Sequence, residues 1–153
     1  MKLLSLLGLG SLALAPARNA LAASDSWKLS EAEWKKRLSQ AQFDVLRKKG
    51  TERAGSSPLN SEKRKGSYNC AGCDLPLFSS EAKYESGTGW PSFHTPLQGA
   101  LGTKIDFKMI LPRTEYHCLR CEGHQGHVFS DGPKPSGKRY CNNGAALTFK
   151  VAA

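Results

Sequence analysis

After its first 22 residues the sequence has no apolar run long enough to cross a bilayer, which excludes a further membrane-spanning helix. It has no internal repeat beyond two short cysteine knuckles and no low-complexity tract, so the chain is not a repeat array. No basic cluster is interleaved with aromatics. Lys35-Lys36-Arg37, Lys48-Lys49 and Lys63-Arg64-Lys65 lie apart and read as solvated faces. Long helices are excluded from the second half by Pro76, Pro91, Pro96, Pro112, Pro133 and Pro135. At 153 residues the chain is one ordinary domain plus extensions.

What is present begins with a leader. Met1-Lys2 is positive, Leu3 to Ala15 is nearly all apolar, and Ala20-Leu21-Ala22 fits a small-residue cleavage site. This pattern predicts a signal peptide over residues 1–22 and a mature domain over residues 23–153. The competing readings are an uncleaved anchor and an organellar transit peptide, which is richer in Arg and Ser and lacks so compact an apolar block. No twin-arginine pair precedes the run, so export in the unfolded state is expected. The expected destination is the bacterial periplasm, with secretion or an organelle lumen as alternatives. From Ala23 onward 20 basic residues face 13 acidic ones, formally +7. That balance permits nucleic-acid or acidic-surface binding and equally suits a soluble exported enzyme.

Five cysteines divide as four plus one. Cys70 and Cys73 form one C-x-x-C pair, Cys118 and Cys121 another. In an oxidising compartment four cysteines could form two disulfides. A C-x-x-C pair closes only a tiny loop, so a disulfide within it stabilises little. Two matched pairs converging on one metal explain the spacing better, as a closed, structural zinc site with four thiolate ligands. A nucleic-acid-binding zinc ribbon shares that spacing.

Ser30-x-x-Glu33 and Ser39-x-x-Gln42 are capping boxes. They predict short helices over about Glu31–Arg37 and Gln40–Lys49, the second stopped by Gly50. Residues 54–65 read as an exposed loop. Ile105, Phe107 and Met109 alternate with Asp106 and Lys108, the pattern of a half-buried strand. Thr114–Cys118 and Ala146–Val151 also read as strands. The expected fold is mainly β, with two N-terminal helices packed on a small antiparallel core and zinc clamping its edge.

The fifth cysteine, Cys141, lies in Arg139-Tyr140-Cys141-Asn142-Asn143, downstream of His124 and His127. A lone cysteine is most often a small buried hydrophobe. Its polar neighbours here favour a nucleophile instead, since nearby His or Arg lowers a thiol pKa. The two histidines, three apart, could equally be structural or metal-binding. Trp90, in Ser86-Gly87-Thr88-Gly89-Trp90-Pro91-Ser92-Phe93, reads either as a core residue beside a turn or as the wall of a small apolar pocket.

Taken in order, Gly-Trp-Pro-Ser-Phe, His-x-Gly-His-Val-Phe-x-Asp-Gly-Pro and Arg-Tyr-Cys-x-Asn, interleaved with two C-x-x-C pairs, resemble the B-type methionine-R-sulfoxide reductase family. Gln42-Phe43-x-Val45-Leu46-Arg47 and Gly50-Thr51-Glu52 extend the resemblance over about Leu29 to Phe149. The resemblance implies two small antiparallel sheets, one structural zinc on Cys70, Cys73, Cys118 and Cys121, and Cys141 as catalytic nucleophile. It implies Trp90 as the wall for the substrate methyl group. His124, His127 and Asn143 would position a water or the sulfoxide oxygen and help protonate it, Arg139 would favour the Cys141 thiolate, and Asp131 would orient the site. The implied partners are oxidised methionine-containing proteins and a thioredoxin-like or small-thiol reductant, with no nucleic acid, no membrane after leader removal, and a monomeric chain.

Two positions depart from the family pattern. Gly144 stands where many members have Ser, which is expected to loosen the pocket rim. Thr88 stands where many members have a resolving cysteine, so an external reductant is expected to recycle Cys141. A zinc-ribbon-like binding module and an oxidation sensor on the same scaffold are the alternative readings.

Overall fold

The computed structural model describes residues 26–153, and the leader expected over residues 1–22 lies outside them. Both capping boxes form and start the helices α1 (Glu31–Arg37) and α2 (Gln40–Leu46). In each, the serine oxygen accepts the N–H of the third helical residue, whose own side chain accepts the serine N–H. Seven-residue helices do not hold alone in water. They persist here because Trp34, Phe43, Val45 and Leu46 are buried in the core.

Helix α2 ends three residues before the expected Lys49. Lys49 itself takes a left-handed φ of 55°, and the Gly50 N–H donates to the Asp44 carbonyl at 2.9 Å. This turn brings the Lys49 ammonium to the buried Glu115 carboxylate at 3.0 Å. Lys49 is therefore exposed, as expected of a solvated face, and at the same time ion-paired with a buried carboxylate.

Among the described residues nine strands follow: β1 (Gly66–Cys70), β2 (Pro76–Ser79), β3 (Lys83–Tyr84), β4 (Ser92–Phe93), β5 (Leu101–Asp106), β6 (Arg113–Cys118), β7 (His124–Phe129), β8 (Arg139–Asn142) and β9 (Leu147–Val151). They build two antiparallel sheets, one ordered β2-β1-β9 and the other β3-β4-β8-β7-β6-β5. The expected mainly-β fold with two small sheets is what forms. Facing aromatics join them: Tyr68 and Phe78 from the small sheet meet Phe93 and Tyr116 from the large one. Phe78 stacks on Phe93 at 4.1 Å between centroids, with Tyr68 edge-on to Phe93 at 4.9 Å. Truncating one such buried ring to Ala costs about 3–5 kcal/mol.

The alternation at Ile105, Phe107 and Met109 does not mark a half-buried strand. Strand β5 stops at Asp106, whose carboxylate accepts the Lys108 N–H at 2.9 Å and turns the chain. All three apolar side chains are exposed.

Candidate active site and cysteine cluster

The two knuckles are built alike. Each begins at the last residue of a strand, Cys70 of β1 and Cys118 of β6. In each, the N–H four residues on, from Asp74 or Glu122, donates to the carbonyl of the first cysteine. Asp74 and Glu122 take left-handed φ of 63° and 58°, which tightens the turn. The four sulfurs meet within 4.8 Å of one another, all buried. The near contacts cross between knuckles, Cys70 to Cys121 at 3.6 Å and Cys73 to Cys118 at 3.4 Å. A disulfide needs about 2.05 Å, and all four thiols are free, so the two-disulfide alternative does not describe this molecule. A tetrahedral ion with metal–sulfur bonds of about 2.3 Å sets its sulfurs roughly 3.8 Å apart, so the cluster fits a metal ion of that kind.

Cys141 sits half-buried on β8. In an antiparallel pair directly opposite residues share a face of the sheet. Register therefore puts Ser92, Cys141, His127, Glu115 and Lys104 in one row across β4, β8, β7, β6 and β5. A register shift between Tyr116 and His117 adds a residue to β7 opposite them. That bulge brings His124 to the same side as His127, with ring centroids 5.5 Å apart.

The two histidines differ in place. His127 lines a cavity of about 200 Å³ together with Trp90, Cys141, Asn143, Thr51 and Arg113. Its Nε2 lies 2.7 Å from the Asp106 carboxylate, which also pairs with Arg113 at 3.0 Å. The Lys108 backbone N–H and the His127 hydrogen bond hold the Asp106 carboxyl well below the usual range. An ionised carboxylate only accepts, so Nε2 of His127 carries the proton. His124 is buried and does not line the cavity. Its Nδ1 donates to Glu115 at 2.9 Å. Burial pushes its pKa down, so the ring is neutral at pH 7. Burial opposes ionisation of Glu115, but hydrogen bonds from His124 and Lys49 outweigh it and hold that carboxyl low.

Glu52 ties the cavity floor together. Its carbonyl accepts the Trp90 indole N–H at 3.1 Å, its N–H donates to Asn143 Oδ1 at 3.0 Å, and its carboxylate accepts the N–H groups of Gly144 and Ala145. Asn143 Nδ2 donates to the Gln125 carbonyl at 2.9 Å. The buried Gln125 reaches Cys70 Sγ at 3.4 Å and also accepts from Asn142 at 3.1 Å. One side chain thus connects the cysteine cluster to the Asn142-Asn143 turn. Gly144 does not loosen the rim: a Cβ there would overlap the Ser57 side chain, so this packing requires glycine.

Around Cys141, Arg139 and Asp131 form a two-pronged ion pair at 2.9 and 3.0 Å, with the guanidinium over the Phe129 ring. Neither lines the cavity. Burial pushes the Cys141 thiol up, while Arg139 and the Thr88 hydroxyl pull it down and lose. Arg139 acts in the expected direction, but the resting thiol holds its proton more tightly than a free one. A hydroxyl chain backs it: Thr88 bonds Ser86 at 2.8 Å, and Ser86 bonds Ser92, opposite Cys141, at 2.7 Å.

The sequence reading missed Asp106, Arg113, Glu115, Glu52 and Gln125. The first three are placed by strand register, which the sequence does not print. Glu52 and Gln125 lie inside motifs that were legible, beside residues with more conspicuous chemistry.

Cys141, His127 and Trp90 thus share one pocket on a β scaffold clamped by its cysteine cluster. The SelR domain matches residues 38–151, and the chain belongs to that family. It is 52% identical over 124 residues to peptide methionine sulfoxide reductase B1, chloroplastic, of Arabidopsis thaliana, covering 80% of this chain and 61% of that one. It is 49% identical over 122 residues to peptide methionine sulfoxide reductase MsrB of Leptospira interrogans, covering 79% of this chain and 93% of that one. With the protein of that name from Pseudomonas entomophila it shares 51% over 119 residues, covering 77% and 91%. The chain thus spans about three fifths of the plant relative and about nine tenths of the bacterial ones. No helix among the described residues is long and apolar enough to cross a membrane.

Proposed function

We infer that the protein reduces methionine-R-sulfoxide, in proteins or free, to methionine. The observation that carries this reading is Cys141 directly opposite His127 at a cavity walled by Trp90. The names of its relatives support it.

A sulfoxide sulfur becomes a good electrophile once its oxygen takes a proton. The Cys141 thiol gives its proton to the free ring nitrogen of His127, which passes it to the sulfoxide oxygen positioned by Asn143, and the resulting thiolate attacks the sulfoxide sulfur and bonds to it. The protonated oxygen then transfers to the Cys141 sulfur: a Cys141 S–O bond forms as the substrate S–O bond and the new S–S bond break, so the substrate sulfur is reduced, methionine leaves and Cys141 is oxidised to a sulfenic acid. Trp90 holds the methyl group. Asp106 sets the tautomer of His127, Glu115 that of His124, and Asp131 aims Arg139 so that its charge favours the thiolate. With Thr88 beside it, the sulfenic acid meets no internal thiol. An external thiol condenses with it, releasing water, and a second thiol resolves the mixed disulfide and frees Cys141.

Zinc is the metal that the cysteine cluster suits. Four thiolates leave no open coordination position, so the ion stabilises the fold and takes no part in the reaction. The leader over residues 1–22 supports export, with an organelle lumen the alternative that the plastid relative brings forward.

The test is turnover of each sulfoxide epimer of a blocked methionine with dithiothreitol. Reduction of the R epimer alone is expected. Equal rates on both epimers would refute the stereochemical assignment.

A further inference from the structure

The apolar side chains at the tip of the β5–β6 hairpin have no part in the chemistry above, yet they form the one run of exposed large hydrophobics among the described residues. Phe107 is 73% exposed, Met109 59%, Ile110 100% and Leu111 75%, with Ile105 at 63% just before them. The other exposed large hydrophobics, Leu97, Leu119 and Val151, are scattered singly. Isolated apolar residues on a surface are ordinary, but a contiguous set marks a contact surface.

The base of this hairpin is the wall of the candidate active site. Asp106 and Arg113 are its last paired residues. Asp106 holds His127, and Arg113 lines the cavity. The apolar tip therefore begins one residue beyond the site. The cavity, at about 200 Å³, receives a side chain and not a stretch of chain. A polypeptide that inserts one oxidised methionine must lay its neighbouring residues on the rim. Methionine is mostly buried in folded proteins, so a segment that brings a methionine sulfoxide into solvent brings apolar neighbours with it.

We propose that residues 107–111 form a docking surface for the apolar residues flanking methionine sulfoxide in an unfolded polypeptide segment. This rests on the reductase reading above. The tip touches no reacting atom, so its contacts persist unchanged from bound substrate to transition state. Such contacts lower KM and leave kcat alone.

The test compares wild type with a triple variant, Phe107→Ser, Ile110→Ser and Leu111→Ser. These side chains are exposed, so the fold should survive, and a thermal melt checks it. Three R-sulfoxide substrates are used: blocked methionine sulfoxide, a peptide with Leu and Phe on both sides of the sulfoxide, and the same peptide with Ser flanks. Wild type should show a KM about tenfold lower for the apolar-flanked peptide than for the Ser-flanked one, the effect of partly burying one or two apolar side chains. The variant should lose that preference, with kcat and its activity on the blocked amino acid unchanged. A preference that survives in the variant, or equal loss on all three substrates, overturns the proposal. So does absence of any flank preference in wild type, including the case where the tip instead drives sedimentation with phosphatidylglycerol vesicles. Failure of wild type to reduce the blocked amino acid would sink the reductase reading itself, and is seen separately.

Discussion

Asp106 holds His127 Nε2 at 2.7 Å from across one intervening strand, β5 reaching over β6 to β7. The bond fixes which nitrogen carries the ring proton and which way the ring lies beside Cys141. Asp106→Asn keeps the shape and loses the charge. It should lower kcat roughly 10–100-fold, a share of what general acid catalysis supplies, while the melting temperature stays near wild type. Steady-state kinetics on the blocked R-sulfoxide, with a thermal melt beside them, check it. Unchanged kcat would remove Asp106 from the site's working parts.

The Cys141 thiol should be slow to alkylate at neutral pH, because burial outweighs the pull of Arg139 and Thr88. The rate with iodoacetamide should climb as pH rises past the ordinary thiol range. Thr88→Val and Arg139→Gln should each move that climb to higher pH, and Thr88→Ser should restore it. A midpoint that ignores both substitutions would contradict the assignment of these two groups as thiolate stabilisers.

Acid should destabilise the fold through the His124–Glu115 pair. Burial lowers the His124 pKa, so the unfolded chain binds a proton more readily than the folded one. Stability from this source is present above about pH 6.5 and is lost as pH falls toward the folded value. Glu115, also held low, adds a second loss on further acidification below the ordinary carboxylate range. Denaturant melts at pH 7.5, 6.0 and 5.0 should show falling stability in wild type. A flat profile would contradict the burial of a neutral His124.

Much of this was legible beforehand, and what was not has physical causes. The helix starts were readable because capping boxes are local: Ser30 with Glu33, Ser39 with Gln42. The end of α2 was not, because Lys49 is drawn out of the helix by Glu115, 66 residues away. The knuckle spacing foretold the cysteine cluster. The alternation at Ile105, Phe107 and Met109 misled, since period-two apolarity says nothing about whether anything covers the face. The same blindness to register hid Asp106: only the pairing of β5, β6 and β7 brings it to His127.

The cysteine cluster should bind about one zinc per chain, and Cys118→Ser should lose both metal and cooperative unfolding, because metal binding and folding share their free energy. Metal analysis with a parallel chelator titration of the melting temperature checks this. Native protein without metal and unaffected by the chelator would contradict it.

Recycling should need an external thiol. After one turnover without reductant, a dimedone-type reagent should trap Cys141 as the sulfenic acid. Thr88→Cys should instead give a disulfide to Cys141 and shorten the sulfenate lifetime. A wild-type disulfide between Cys141 and a knuckle cysteine, with metal released during normal turnover, would contradict the scheme.

The most direct measurement is a single turnover. Protein is mixed with excess R-sulfoxide and no reductant, methionine is quantified, and the Cys141 peptide is weighed by mass spectrometry. The account predicts a single methionine released per chain, one oxygen atom gained on Cys141, and neither event in Cys141→Ser. Methionine formed without oxygen on Cys141, or formed equally by Cys141→Ser, would contradict it.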